Sequence, residues 1–233
     1  MRFLCLLSVI ANFSVLGSNF QPDLETPLIL KDASCDCTGT NNTGPTGKDF
    51  ICRDPRLGPR KLPRRLPMLS LVTDYDRFAG LTPGEFLEKW TRSDGTYLYP
   101  PHDGFELNTA GQPVLGNITL KVGAKLDRFG SEYGSYVSAA DAPFAQRALP
   151  PSSLATNPNS PDFPYGYHVY SVIKPFDVLG GPIAPWFGQP GLGAQFYTGR
   201  TGNIIKLINE GYIRKVNKTA IDVGPGHGRN CGQ

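Results

Sequence analysis

Residues 180–197 read GGPIAPWFGQPGLGAQFY, from Gly180 to Tyr197. Five glycines and three prolines surround Trp186 and Phe187, and the run then enters an aromatic, strand-like segment at Gln195. Proline fixes φ and glycine admits conformations that other residues avoid, so this composition describes a loop of one definite shape feeding a strand. Two large rings held next to a neutral amide suit a flat heterocycle carrying a carboxamide. The plainer reading makes Trp186 and Phe187 core residues beneath a tight turn.

Outward from that loop, the whole chain is turn-rich. Its 233 residues allow one ordinary domain plus extensions, and 39% hydrophobic residues suffice for a core. With 27 glycines and 22 prolines, a loop-rich, mostly β protein is expected. The net charge of +3 is too small for a nucleic-acid footprint. The basic, proline-rich patch Arg53 to Arg65 lacks interleaved aromatics and reads as a solvated connector.

Residues 1–17 have the form of a secretory signal: Arg2, a mostly apolar stretch from Phe3 to Leu16, and a small-residue cleavage pattern ending at Gly17. No other segment reaches the roughly 20 apolar residues of a membrane span. Export to the extracellular space or cell surface is the expectation. Without Cys5 in the signal, Cys35, Cys37, Cys52 and Cys231 remain, an even set that predicts two disulfides in an oxidising compartment. A Cys35–Cys37 bond would close a strained, very small ring, so Cys231 is expected to bond Cys35 or Cys37. Sequons at Asn41, Asn117 and Asn217 agree with export and glycosylation. The three histidines lie far apart and a lone C-x-C makes no zinc site, so no metal centre is assigned.

Along the chain, residues 18–77 read as an irregular, disulfide-bearing N-terminal arm, 78–216 as the principal domain, and 217–233 as a tail fastened by a disulfide. Thr82-Pro83-Gly84-Glu85 opens a short helix with a capping box. A second helix runs from Ile204 to Glu210, capped by Asn203 and ended by Gly211. Strand signals lie at Asn117 to Lys121, Lys125 to Phe129, Tyr167 to Lys174, Gln195 to Thr198 and Tyr212 to Val216. Strands outnumber helices without alternating with them, which predicts an α+β fold on a twisted antiparallel or mixed sheet with a few short helices.

Familiar catalytic signatures are absent. Gly188-Gln189-Pro190-Gly191-Leu192-Gly193 has the wrong order for a dinucleotide fingerprint, and Asp49 after Gly47-Lys48 lacks a P-loop hydroxyl. What stands instead is a constellation: Leu126-Asp127-Arg128-Phe129-Gly130, then Gly134-Ser135-Tyr136, then Phe144-Ala145-Gln146-Arg147-Ala148-Leu149-Pro150, then Tyr167-His168-Val169-Tyr170, and finally the loop with Gln195. Singly, each has a structural explanation: Arg128 as a surface ion pair, Arg147 as a helix-end cap, His168 as a satisfied core histidine.

Taken in order, these segments resemble the catalytic domain of the tuberculosis necrotizing toxin family of NAD⁺ glycohydrolases, especially its secreted fungal members, over roughly residues 78–216. The resemblance implies a fold distantly similar to ADP-ribosylating toxins and hydrolysis of NAD⁺ to nicotinamide and ADP-ribose, with NAD⁺ as substrate and no cofactor. The family's arginine, tyrosine, second arginine, histidine and glutamine fall on Arg128, Tyr136, Arg147, His168 and Gln195. On this reading Gln195, Arg128 and His168 are catalytic, while Arg128, Phe129, Tyr136, Arg147, Trp186 and Phe187 bind substrate. One departure is the proline-rich link between Arg147 and His168, Pro150 to Tyr165. Some fungal relatives carry a calcium site near the C-terminus, but no acidic cluster follows Gly211 here. The relatives also imply a homodimer.

The chemistry fits these residue types. Nicotinamide leaves NAD⁺ as a neutral molecule, so no strong acid is required, and the barrier is the cationic ribose left behind. Arginine forks suit a pyrophosphate. Gln195 is neutral and suited to positioning, and the sequence displays no obvious catalytic glutamate for water. NADP⁺ is a second candidate substrate, because its extra phosphate can sit in solvent. The rivals are a secreted ADP-ribosyltransferase, which needs a glutamate and an acceptor loop, and a non-catalytic secreted interaction protein on the same fold.

Overall fold

The structure is a computed structural model that describes residues 33–40 and 47–216. The signal at 1–17, Asn41, Asn217, Cys231 and the tail at 217–233 lie outside them. Seven strands are present: β1 Gly116–Leu120, β2 Lys125–Phe129, β3 Tyr136–Ala139, β4 Tyr167–Val172, β5 Phe176–Pro182, β6 Ala194–Tyr197 and β7 Ile213–Lys215. They form one sheet in the order β1-β5-β6-β3-β2-β4-β7, and every neighbouring pair is antiparallel. The expected α+β class is met, with the sheet purely antiparallel. All six residues of β4 are buried, as befits a strand covered on both faces.

Because successive side chains point to opposite faces, β2 divides its residues between two cores. Leu126 joins Val137, Tyr170, Val172, Ile204, Leu207 and Ile213 on one face. Phe129 joins Phe144, Leu154, Tyr167 and Val169 on the other. Helix α3, Ile204–Asn209, lays Ile204 and Leu207 on the first core, and its cap Asn203 accepts a hydrogen bond from Lys206 N at 2.9 Å. Helix α2, Pro83–Trp90, begins with the expected capping box: Thr82 accepts from Glu85 N and the Glu85 carboxylate accepts from Thr82 N. Such a cap stabilises a helix by ~1 kcal/mol.

The N-terminal segment is not an arm throughout. Helix α1, Met68–Val72, puts Met68, Leu71 and Val72 into the second core, and Ile51, Leu57 and Phe78 join α2 residues in a third. Leu57 is wholly buried and Phe78 nearly so, which ties residues 47–78 into the domain. The signal for this was weak because the apolar residues are spread between prolines and short turns rather than at one period. Cys37 is bonded to Cys52. Cys35 is also disulfide-bonded, and with Cys37 bonded to Cys52 a Cys35–Cys37 link is excluded. Among the described residues no helix is long and apolar enough to cross a membrane.

Candidate active site

Strands β2 and β3 pair only at Leu126 with Ala139 and Asp127 with Ser138. Beyond that point the ladder stops, and Arg128 and Phe129 separate from Val137 and Tyr136. A cavity of about 580 Å³ opens in this split, lined by Asp127 to Ser131 on one side, Tyr136 to Ser138 on the other, and Arg147, Gln195, Tyr99 and Asp103 around them. Its size is that of small-molecule sites, roughly 300–1,000 Å³.

Arg128 spans the split. Its Nε donates to Ser131 O and its Nη1 to Tyr136 O, both at 2.6 Å. The guanidinium lies against Gly134, where a Cβ would come within 2.0 Å of Nη2, so the glycine is required by close approach rather than by its own dihedrals. Nη2 makes no hydrogen bond among the described residues. Burial lowers the Arg128 pKa, with Tyr170 and Glu132 opposing, yet the group remains a cation.

Arg147 has a different environment from the one expected. Its Nη1 and Nη2 donate to Asp127 Oδ1 at 2.5 Å and Oδ2 at 2.8 Å, and Nε and Nη2 donate to Ala142 O. Asp127 is fully buried and also accepts from the Tyr167 hydroxyl at 2.7 Å and Asp141 N at 3.0 Å. The Arg147 fork therefore holds a cavity wall through a buried ion pair.

Gln195 stands in the cavity wall at the start of β6, opposite Ser138 of β3 and Gly181 of β5. Its Nε2 donates to Asp103 O at 2.9 Å, while Oε1 has no partner among the described residues. Tyr136 lines the same space. Burial, and then the nearby Asp103 carboxylate, raise the pKa of its phenol, which stays protonated.

Trp186 and Phe187 do not line the cavity. Phe187 and Gly188 occupy the two left-handed positions of a tight turn, with φ of 52° and 72°, closed by paired Trp186–Gln189 backbone hydrogen bonds. Phe187 is buried in the third core, and the Trp186 indole donates to Leu98 O at 2.6 Å. Phe187 is thus a core residue beneath a tight turn, and Trp186 packs half-buried against that core. Phe187 does meet Tyr99 edge-on at 5.8 Å, and Tyr99 is the aromatic at the cavity.

His168 is also outside the cavity lining. It sits beside Arg128 across the β2–β4 pair, stacks on Phe163 at 4.3 Å, and is buried. Burial lowers its pKa; Glu132 opposes this, and Lys215 and Arg128 add to it. Its Nδ1 lies 3.6 Å from Glu132 Oε1, whose carboxylate accepts from the Tyr170 hydroxyl at 2.7 Å and from Lys215 at 2.6 Å. The imidazole is thus neutral at pH 7 and part of a polar cluster beside Arg128. The cavity residues the sequence did not single out are Tyr99, Asp103 and Asp127. Asp127 stood inside the quoted LDRFG stretch, but its pairing with Arg147 is a long-range contact.

Residues 119–216 match the family model described as tuberculosis necrotizing toxin. The conidial surface nicotinamide adenine dinucleotide glycohydrolase nadA of Aspergillus fumigatus is 51% identical over 176 residues, covering 74% of each chain. The solved structure of tuberculosis necrotizing toxin with its immunity factor aligns with 58% of this chain and 71% of its own, at 23% identity and a TM-score of 0.44. That of Tse6 with Tsi6 aligns with 44% and 71%, at 17% identity and a TM-score of 0.31. With half the residues identical across three quarters of a curated relative, and with Arg128, Tyr136, Arg147 and Gln195 gathered at one split in the sheet, this chain belongs to the tuberculosis necrotizing toxin family.

Proposed function

We propose that this chain is an NAD⁺ glycohydrolase, which hydrolyses the bond between nicotinamide and ribose in the cavity between β2 and β3. The observation that carries the site assignment is Arg128, fixed across the open ladder by two backbone carbonyls with Nη2 left over, in the same cavity as Gln195. The activity itself is supported by the 51% identical relative and by the family.

In this reading Arg128 Nη2 receives a phosphate oxygen of the substrate, a charge-assisted bond made without reorganising the side chain. Gln195, anchored through Nε2, presents Oε1 to the carboxamide or the ribose hydroxyls. Tyr99, Phe129 and Tyr136 supply the aromatic and apolar walls. As the C1′–N bond breaks, its electron pair leaves with nicotinamide, the ring loses its positive charge, and cationic character passes to the ribose. Preorganised oxygens around C1′ then stabilise the transition state more than the ground state. Arg147 holds Asp127 and Tyr167 in place, and His168 positions Arg128 from the neighbouring strand.

Export, glycosylation at the exposed Asn117 of β1, acceptance of NADP⁺ and self-association belong to the same proposal. The test is incubation of purified protein with NAD⁺, and in parallel NADP⁺, followed by identification of the ribose product. Free ADP-ribose in step with nicotinamide supports hydrolysis. ADP-ribose attached to protein would establish the transferase, and no nicotinamide would leave a binding protein.

A further inference from the structure

Hydrolysis leaves one proton to be placed. NAD⁺ and water give ADP-ribose, nicotinamide and H⁺: the water oxygen bonds to C1′, the C1′–N pair departs with neutral nicotinamide, and the water proton must go to a base. Two carboxylates line the cavity, Asp103 and Asp127. Both oxygens of Asp127 are saturated by Arg147, Tyr167 and Asp141, and the residue has no exposed surface. His168 is buried and outside the lining, and the Glu132 carboxylate is held by Tyr170 and Lys215. Asp103 differs from all of these. It is exposed, it lines the cavity, and its carboxylate is close enough to the Tyr136 phenol to raise that group's pKa.

Its backbone is built for that place. His102, Asp103 and Gly104 form a left-handed turn, with φ of 52°, 57° and 75°, and the Asp103 carbonyl accepts from Gln195 Nε2 at 2.9 Å. Two successive non-glycine residues in this region are uncommon, and such conformations persist where the surroundings over-determine them. Gln195 thereby fixes the turn from within the same cavity wall.

Resting on the reading of this chain as an NAD⁺ glycohydrolase, we propose that Asp103 is a catalytic residue, the carboxylate that aligns the attacking water and takes its proton. A carboxylate suffices because the electrophile is a cationic ribose, which water attacks with little assistance. Its exposure returns the proton to solvent after each turnover. Tyr136, kept as a phenol and lining the same cavity, is the positioning partner of that carboxylate.

The experiment compares wild type, Asp103→Asn and Asp103→Gly for nicotinamide release from NAD⁺, with thermal melts. Asparagine and glycine both accept left-handed φ and both retain the carbonyl that Gln195 uses, so either variant keeps the turn. Expected are melting temperatures within about 2 °C of wild type, KM within about threefold, and kcat lower by about 10²–10⁴. Sodium azide, which needs no deprotonation to attack C1′, raises turnover of Asp103→Gly and gives ADP-ribosyl azide by mass. An active wild type with Asp103→Asn or Asp103→Gly within about threefold of its kcat, or no azide rescue of Asp103→Gly, overturns the assignment of Asp103 alone. A wild type that releases no nicotinamide overturns the underlying reading as well.

Discussion

Replacing Arg147 by methionine separates a structural arginine from a substrate-binding one. The guanidinium is almost wholly buried and bidentate to Asp127, with side-chain exposures of 2% and 0%. Removing one partner of such a pair leaves a buried carboxylate uncompensated, at a cost of about 3–5 kcal/mol. Asp127 retains the Tyr167 hydroxyl and the Asp141 amide, which places the expected loss at the lower end, about 3 kcal/mol. For a chain of this size each kcal/mol moves the melting temperature by roughly 2–4 °C, so Arg147→Met should melt roughly 6–12 °C below wild type. Arg147→Met/Asp127→Asn should recover part of that loss, because the stranded charge is gone. Differential scanning calorimetry on purified proteins, with nicotinamide release normalised to the folded fraction, measures both quantities. An Arg147→Met protein that melts with wild type while losing NAD⁺ cleavage would refute the reasoning and return the Arg147 fork to the phosphates.

Three further outcomes follow from the same geometry. Gln195→Ala removes one positioned hydrogen-bonding group and should lower turnover by about 10²–10³ at an unchanged melting temperature; a stable, fully active variant would contradict it. Acid should weaken the fold: burial holds the His168 pKa below its unfolded value of 6.5, so the unfolded chain binds that proton first and stability is lost as pH falls from near 7 through that window. Calorimetry from pH 7 to 5 should show a falling melting temperature, with a smaller fall in His168→Gln; equal slopes would exclude His168 as a source. Non-reducing peptide mapping should find Cys37 joined to Cys52 and Cys35 joined to Cys231, and a free Cys231 thiol would exclude the tethered tail.

Local signals with short-range causes were legible in the chain. The Thr82–Glu85 capping box, the Asn203 cap and five strands depend on residues within a few positions of each other. Strand β3 was missed because four residues after a glycine turn show too little alternation, and β5 because Gly180 and Gly181 interrupt its apolar pattern. The loop at 180–197 delivers Gln195 to the cavity, while Phe187 is buried in the third core and Trp186 packs against it. Asp127 with Arg147, and Gln195 with Asp103, are contacts over 20 and 92 residues. Neither has a sequence spacing that announces it. The split between β2 and β3 was equally hidden, since a ladder that stops early leaves no compositional trace.

The central claim is that NAD⁺ is cleaved where Arg128 spans that split. Its most direct measurement is nicotinamide release from NAD⁺ by wild type and Arg128→Lys side by side, both shown to be folded by their melting curves. Lysine keeps the charge but has no planar fork to hold Ser131 O and Tyr136 O while offering a third donor to phosphate. Expected are robust release by wild type and a loss of at least about tenfold in kcat/KM for the variant, equivalent to about 1.4 kcal/mol of transition-state stabilisation. Equal kcat/KM for the two proteins would contradict it.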